Sequence, residues 1–290
     1  MKRGINIAIL GRGTVAQGVI KLLKRNRRLI EKKVGATLSL ASVLARSTRK
    51  QKDIQLPARL LTDVPDEILS NPDIDIIVEL IGGYEPARSY ILKAMEAGKD
   101  IVTANKALLA VHGEEIFARA QKHGIDIGFE ASVGGGIPII RTLKEGLAGD
   151  RNRALYAILN GTCNYILTTM EESGEDFHKA LASAQQLGYA EADPSFDING
   201  IDAAHKLAIL VLLAFGTRVR LKDIYTEGIR HISRMDITYA RELGYKIKLL
   251  AIARHDNGKI EARVHPALVS LHHPLASVRG PYNAVFIDGE

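Results

Sequence analysis

Apolar positions in the first half of the chain come in short blocks: residues 5–10, 38–44, 75–80, 100–103 and 125–129. Blocks of this length, bounded by glycine, asparagine or charged residues, predict strands. Helical patterns lie between them. One opens near Thr14 and continues through 21–33, where Leu22, Leu23, Leu29 and Ile30 recur at helical spacing among lysines and arginines; others cover about 86–97 and 114–123. Strands alternating with helices predict an α/β fold whose N-terminal part is a Rossmann-type, doubly wound parallel sheet.

The rhythm changes after the glycine-rich stretch Val133-Gly-Gly-Gly-Ile137. Helices are predicted over 137–146, 163–172, 178–187, 199–215 and 236–243, and strands over 154–159, 245–255, 259–269 and 283–288. Helices followed by strands predict an α+β domain built on an open, mostly antiparallel sheet, with one face left to pair with a second subunit. The expected division is a nucleotide-binding domain at 1–135 and a substrate-binding, catalytic and dimerisation domain at 136–290.

Composition narrows the class. A chain of 290 residues, 46% of them hydrophobic, is long enough for two cores. The start, Met-Lys-Arg-Gly-Ile-Asn, lacks the apolar core of a signal peptide, and the apolar run 207–215 is too short to span a bilayer, so a cytoplasmic protein without membrane partners is expected. The single cysteine, Cys163, excludes an internal disulfide and is expected in the core. A net charge of +6 raises nucleic acid as a partner. The basic residues of 21–33, however, read as the wet face of an amphipathic helix and bring no aromatic stacking platform, which argues against it.

Candidate chemistry sits in two places. The first predicted strand runs into Gly11-Arg12-Gly13-Thr14-Val15-Ala16, a Gly-x-Gly-x-x-Ala turn opening a helix, which lets a pyrophosphate approach the backbone at the positive helix end. The second strand ends in Ala45-Arg46-Ser47-Thr48-Arg49-Lys50 rather than in an acid. A cationic, hydroxyl-rich loop suits a 2′-phosphate, so NADP is expected over NAD, with Arg46 as its contact. Gly82, Asn105, Lys106 and Glu130 fall, like Gly11, at the carboxyl ends of predicted strands, where such sheets bind ligands.

The other place is the segment 188–206. Asp202 and Lys206 are four residues apart and share a face at the start of an apolar helix, with Glu191 and Asp197 in the loop before it. Desolvation disfavours a charged lysine while neighbouring carboxylates favour it, a tension suited to a proton donor or acceptor. His205 is next to Lys206 in sequence but points about 100° away on a helix. A helix-stabilising ion pair is the plainer reading of the same residues.

Taken together, Gly-Arg-Gly-Thr-Val at the turn, Thr103-Ala-Asn-Lys106, Phe129-Glu-Ala-Ser-Val-Gly-Gly-Gly-Ile-Pro138, Asn160-Gly-Thr-Cys-Asn-Tyr-Ile-Leu167 and the Glu-Ala-Asp-Pro to Asp-Ala-Ala-His-Lys stretch closely resemble the homoserine dehydrogenase family. The resemblance implies an NAD(P)-dependent oxidoreductase interconverting L-homoserine and L-aspartate 4-semialdehyde, on the way to threonine, methionine and isoleucine, acting as a homodimer. It implies that Lys206 moves the proton, that Glu191, Asp197 and Asp202 hold homoserine, that Lys106 lies beside nicotinamide and substrate, and that Gly188 passes close to the cofactor. It also implies a monovalent cation, sodium, held by Glu130 and the carbonyls of Val133, Gly135 and Ile137. The family continues beyond 290 with a glycine-rich closing segment, and some members add an ACT domain; neither follows in this sequence, and weakened activity is expected from that. Two alternatives stay open: an aspartate-semialdehyde dehydrogenase-like enzyme, which would need a nucleophilic cysteine, and an inactive NADP-binding fragment.

Overall fold

A computed structural model describes residues 4–45 and 54–290, and their contacts divide the chain into two units with the border between Ser132 and Val133. The first unit runs β1 (Gly4–Leu10), α1 (Thr14–Val34), β2 (Thr37–Leu44), β3 (Leu61–Thr62), α2 (Asp66–Leu69), β4 (Ile76–Glu79), α3 (Ala87–Glu96), β5 (Asp100–Thr103), α4 (Lys106–His123) and β6 (Ile127–Gly128). All its strands pair in parallel, in the order β3-β2-β1-β4-β5-β6. This is the doubly wound order, with the reversal between β1 and β4.

Strand β1 is central, so its second half is covered on both faces: Ala8, Ile9 and Leu10 have no exposed surface. Ile7 and Ile9 pack with Ala16 and Ile20 of α1, Leu38 and Val43 of β2 and Val78 of β4, each large side chain contributing about 1.5–3 kcal/mol on burial. Helix α1 buries only Ala16, Gln17 and Ile20, carries Lys32 and Lys33 in its last turn, and stops at Gly35, whose left-handed backbone lets its N–H reach the Glu31 carbonyl. The cationic stripe read from 21–33 is therefore the solvated face of this helix. Helix α4 begins at Lys106, well before the predicted start near Glu114, because the Asn105 Oδ1 accepts the Leu108 N–H at 3.1 Å and caps it.

The second unit contains α5 (Ile139–Arg141), which continues as a π-helical turn at Thr142–Gly146, then β7 (Ala154–Ile158), α6 (Gly161–Ser173), α7 (Phe177–Gln186), α8 (Ser195–Ile198), α9 (Ile201–Phe215), β8 (Tyr225–Thr226), α10 (Arg234–Glu242), β9 (Tyr245–Asp256), β10 (Lys259–Ser270) and β11 (Ala284–Asp288). Its sheet has the order β11-β7-β9-β10-β8; every pair is antiparallel except β8 with β10. Asn257 and Gly258, both at positive φ (48° and 75°), form the two-residue turn of the β9–β10 hairpin. Helix α9 packs on β9 and β10 and is buried over Asp202–His205 and again over Leu207–Val211. Among the described residues no helix is long and apolar enough to cross a membrane.

Candidate active site

In the first unit the chain leaves β1 at Gly11, whose φ of 111° and whose position both demand glycine: a Cβ there would stand 2.7 Å from the Leu80 carbonyl oxygen. Gly13 is the N-cap of α1. It offers no side-chain cap, and the place its Cβ would take has nothing within 4 Å. The first turn, beginning Thr14-Val15, carries no acid. Unblocked amides at a helix start with room for close backbone approach are what a pyrophosphate needs, and the residues fit that group. Arg46 lies outside the described residues. Lys106 is half-buried and is the first residue of α4.

The second unit builds its site where β7 meets α6. Asn160 is the N-cap of α6, its Oδ1 accepting the Cys163 N–H at 2.8 Å. Its amide nitrogen then donates to two acids, Asp197 Oδ1 at 2.7 Å and Asp202 Oδ2 at 2.9 Å. Lys206 Nζ donates to the same Asp202 Oδ2 at 2.6 Å and to the Leu159 carbonyl at 2.7 Å. The Thr162 hydroxyl lies 2.7 Å from the Tyr189 carbonyl and 3.2 Å from Asp197 Oδ2.

The electrostatics follow from burial. The Asp202 and Lys206 side chains keep 3% and 14% of their surface, and a pair so withdrawn from water is tolerable only when further hydrogen bonds satisfy both partners. Asn160 supplies one for the carboxylate and Leu159 one for the ammonium. Asp202 also sits in the first turn of α9, where the helix dipole favours an anion. The third N–H of Lys206 has no acceptor among the described residues.

The structure thus gathers Asp197, Asp202 and Lys206 and adds Asn160 and Thr162, to which the sequence reading gave no role. Glu191 is on an exposed turn; its backbone carbonyl accepts from Gln185 Nε2 at 3.1 Å, and its carboxylate has no partner among the described residues. Gly188 follows α7 with φ 77° and open space beside its Cα. The His205 ring lies edge-on to Phe196 at 5.4 Å, consistent with its facing away from Lys206.

Cys163 has no exposed surface, and its Sγ lies 3.2 Å from the Asp197 carbonyl. Burial, and then the charges of Asp197 and Asp202, push its thiol well above the ordinary range. A nucleophilic thiolate needs the opposite surroundings. Among the described residues no group of three or more His, Cys, Asp or Glu side chains is placed to hold a metal. The cation set named above is of another kind, one carboxylate and neutral carbonyls. Gly134 and Gly135 of that stretch take left-handed conformations (φ 76° and 61°).

Residues 11–130 match the family model for the homoserine dehydrogenase NAD binding domain, and residues 138–290 match the homoserine dehydrogenase model. A homoserine dehydrogenase of Synechocystis sp. is 49% identical over 292 aligned residues, covering 99% of this chain and 66% of that one. The chain spans about two thirds of the length of the curated relatives it matches, 66% for those of Synechocystis and Bacillus subtilis. A crystal structure of a homoserine dehydrogenase from Thiobacillus denitrificans superposes with a TM-score of 0.93 at 48% identity, over 100% of this chain and 67% of that one. A hyperthermophilic archaeal homoserine dehydrogenase in complex with NADPH superposes with a TM-score of 0.81 at 28% identity, over 99% and 88%. The open glycine turn, the buried acid–lysine pair and the family-model matches over residues 11–130 and 138–290 place the chain in the homoserine dehydrogenase family.

Proposed function

We propose that this chain carries the activity of its family, the NAD(P)-dependent interconversion of L-homoserine and L-aspartate 4-semialdehyde. The observation that carries the reading is the state of Lys206. Its ammonium is held by Asp202 and the Leu159 carbonyl, with a third N–H left for a substrate oxygen. A bound nicotinamide would supply or accept the hydride. As negative charge develops on the aldehyde oxygen, Lys206 stabilises it and delivers the proton; in the oxidative direction it takes the hydroxyl proton back. Asp202 fixes the lysine. Asp197 and Glu191 are carboxylates suited to the substrate ammonium, and Lys106 is a second cation for the cofactor side.

Gly11, Gly13, Thr14 and Val15 would carry the pyrophosphate. NADP is the proposed cofactor, on the strength of Arg46 in the sequence and of the archaeal relative's complex with NADPH. Sodium at Glu130, Val133, Gly135 and Ile137, a role for Gly188 beside the cofactor, and a cytoplasmic homodimer complete the proposal. Cys163 is buried, and burial with the neighbouring carboxylates disfavours its thiolate, which speaks against the aspartate-semialdehyde dehydrogenase-like alternative.

The test is to incubate the protein with L-homoserine and NADP and follow absorbance of the reduced cofactor. Reduction that depends on homoserine is expected. Reduction seen only with aspartate semialdehyde and phosphate, or none with either, would sink the assignment.

A further inference from the structure

Strands β4 and β5 end side by side, and Glu79 and Thr103, register partners at that end, have 0% and 1% of their surface exposed. The Glu79 carboxylate accepts three hydrogen bonds. Oε1 takes the Ile81 and Gly82 amides at 2.7 and 3.2 Å, and Oε2 takes the Thr103 hydroxyl at 2.7 Å. The Thr103 oxygen in turn accepts the Asn105 N–H at 3.0 Å. Asn105 reaches back with its amide nitrogen to the Gly83 carbonyl at 2.7 Å while its Oδ1 caps the helix that Lys106 opens.

The carbonyl of Leu80, the residue between Glu79 and the amides it holds, is the atom that leaves no room for a side chain on Gly11. One chain of contacts therefore runs from the glycine turn, through the loop after β4, to the first residue of α4. A buried carboxylate with only neutral donors and no cation among the described residues is an expensive way to close a strand end. Sheet closure alone does not call for it.

The geometry points to Glu79 and Thr103 as positioning residues: the buried carboxylate and the hydroxyl it orients set Lys106 against the same frame that fixes the glycine turn. The claim rests on the proposed reaction, in which Lys106 faces the cofactor side. If Thr103 were only structural, losing its hydroxyl would cost stability and leave turnover per folded molecule intact. If it positions Lys106, the loss appears in turnover and vanishes once Lys106 is gone.

Thr103→Val removes the hydroxyl at constant shape and leaves the Oε1 bonds to Ile81 and Gly82, whereas Glu79→Leu exposes the fold itself to risk. Homoserine turnover, NADPH affinity from nicotinamide fluorescence, and hydrogen exchange of peptides spanning 104–109 are measured for the parent, Thr103→Val, Thr103→Ser, Lys106→Met and the double variant Thr103→Val/Lys106→Met. The expected result for Thr103→Val is turnover lower by about tenfold or more, NADPH affinity within about threefold of the parent, and faster exchange over 104–109. Thr103→Ser restores all of it, and the double variant is no slower than Lys106→Met alone.

Parental turnover in Thr103→Val, or independent multiplication of the two defects in the double variant, would overturn the inference. A parent without homoserine turnover would instead count against the proposed reaction. The clamp then stands on exchange alone: acceleration over 104–109 in Thr103→Val but not in Thr103→Ser supports it, and no acceleration rejects it.

Discussion

Asn160 shows how one neutral side chain organises a charged site. Both of its amide protons are spent on carboxylates, Asp197 and Asp202, and its oxygen caps α6. Asn160→Ala should therefore do two things at once: lose an N-cap worth about 1 kcal/mol and leave two carboxylates without a shared donor, at about 1–3 kcal/mol each where buried. We expect kcat/KM for homoserine to fall by on the order of tenfold or more, with a lower melting temperature; parental kcat/KM would remove Asn160 from the site. The acid–lysine pair was legible in the sequence because spacing of four on a helix forces Asp202 and Lys206 together. Asn160 was not, because an asparagine before a helix reads as a generic cap and nothing local says that two acids arrive from 37 and 42 residues on. Glu191 was named by its motif, yet its carboxylate reaches none of the others.

Among the elements, those with strong periodicity were readable to within a residue or two: α1, β5, α6, α9 and the β9–β10 hairpin. The misreadings have local causes. The two-residue strands β3 and β8 are too short to leave a pattern. The predicted helix over 137–146 divides into α5 and a π turn, and α4 starts well ahead of its predicted start because an asparagine directly after a strand carries no helical periodicity, although Asn105 caps the helix.

One buried charge on β9 allows a test at this scale. Lys248 keeps 1% of its surface and donates to Asn164 Oδ1 at 3.0 Å and the Val278 carbonyl at 2.6 Å, tying β9 to α6 and to the loop before β11. Desolvation lowers its pKa from 10.5 to about 8. Between those values the unfolded chain binds the proton that the folded one releases, so stability rises with pH across pH 8 to 10.5 and is lowest below it. The penalty present below pH 8 is on the order of 3 kcal/mol. Urea unfolding of the parent and Lys248→Met at pH 8 and pH 10 should show a gain in the parent that the variant lacks; equal slopes with pH would contradict the assignment.

For the whole molecule, the alternation of strands and helices was enough to predict a doubly wound sheet followed by an α+β unit, because a parallel sheet must be covered by the helices that connect it. The proposed dimer has a weaker trace. Along α10 and β10, Leu243, Tyr239 and Leu268 are 68%, 55% and 56% exposed around a groove of about 290 Å³ that they line with Ile232 and Ile247. Exposed apolar surface of this kind suits an interface, and a second copy is the partner proposed for it. Light scattering coupled to gel filtration should give twice the 31.6 kDa chain mass for the parent and a shift toward one chain for Leu268→Glu; a monomeric parent would refute the dimer. The cofactor proposal is tested by titration. NADP should bind more tightly than NAD, and Arg46→Ala should narrow the gap, while equal affinities in the parent would end the case for Arg46.

The central claim is that Lys206, held by Asp202 and the Leu159 carbonyl, transfers the proton in homoserine oxidation. Turnover of Lys206→Ala with saturating homoserine and NADP, measured beside its NADP affinity, tests it most directly. A loss of on the order of 10²-fold or more with cofactor affinity unchanged is the predicted result. Near-parental turnover would contradict the account and pass the role of acid to Lys106.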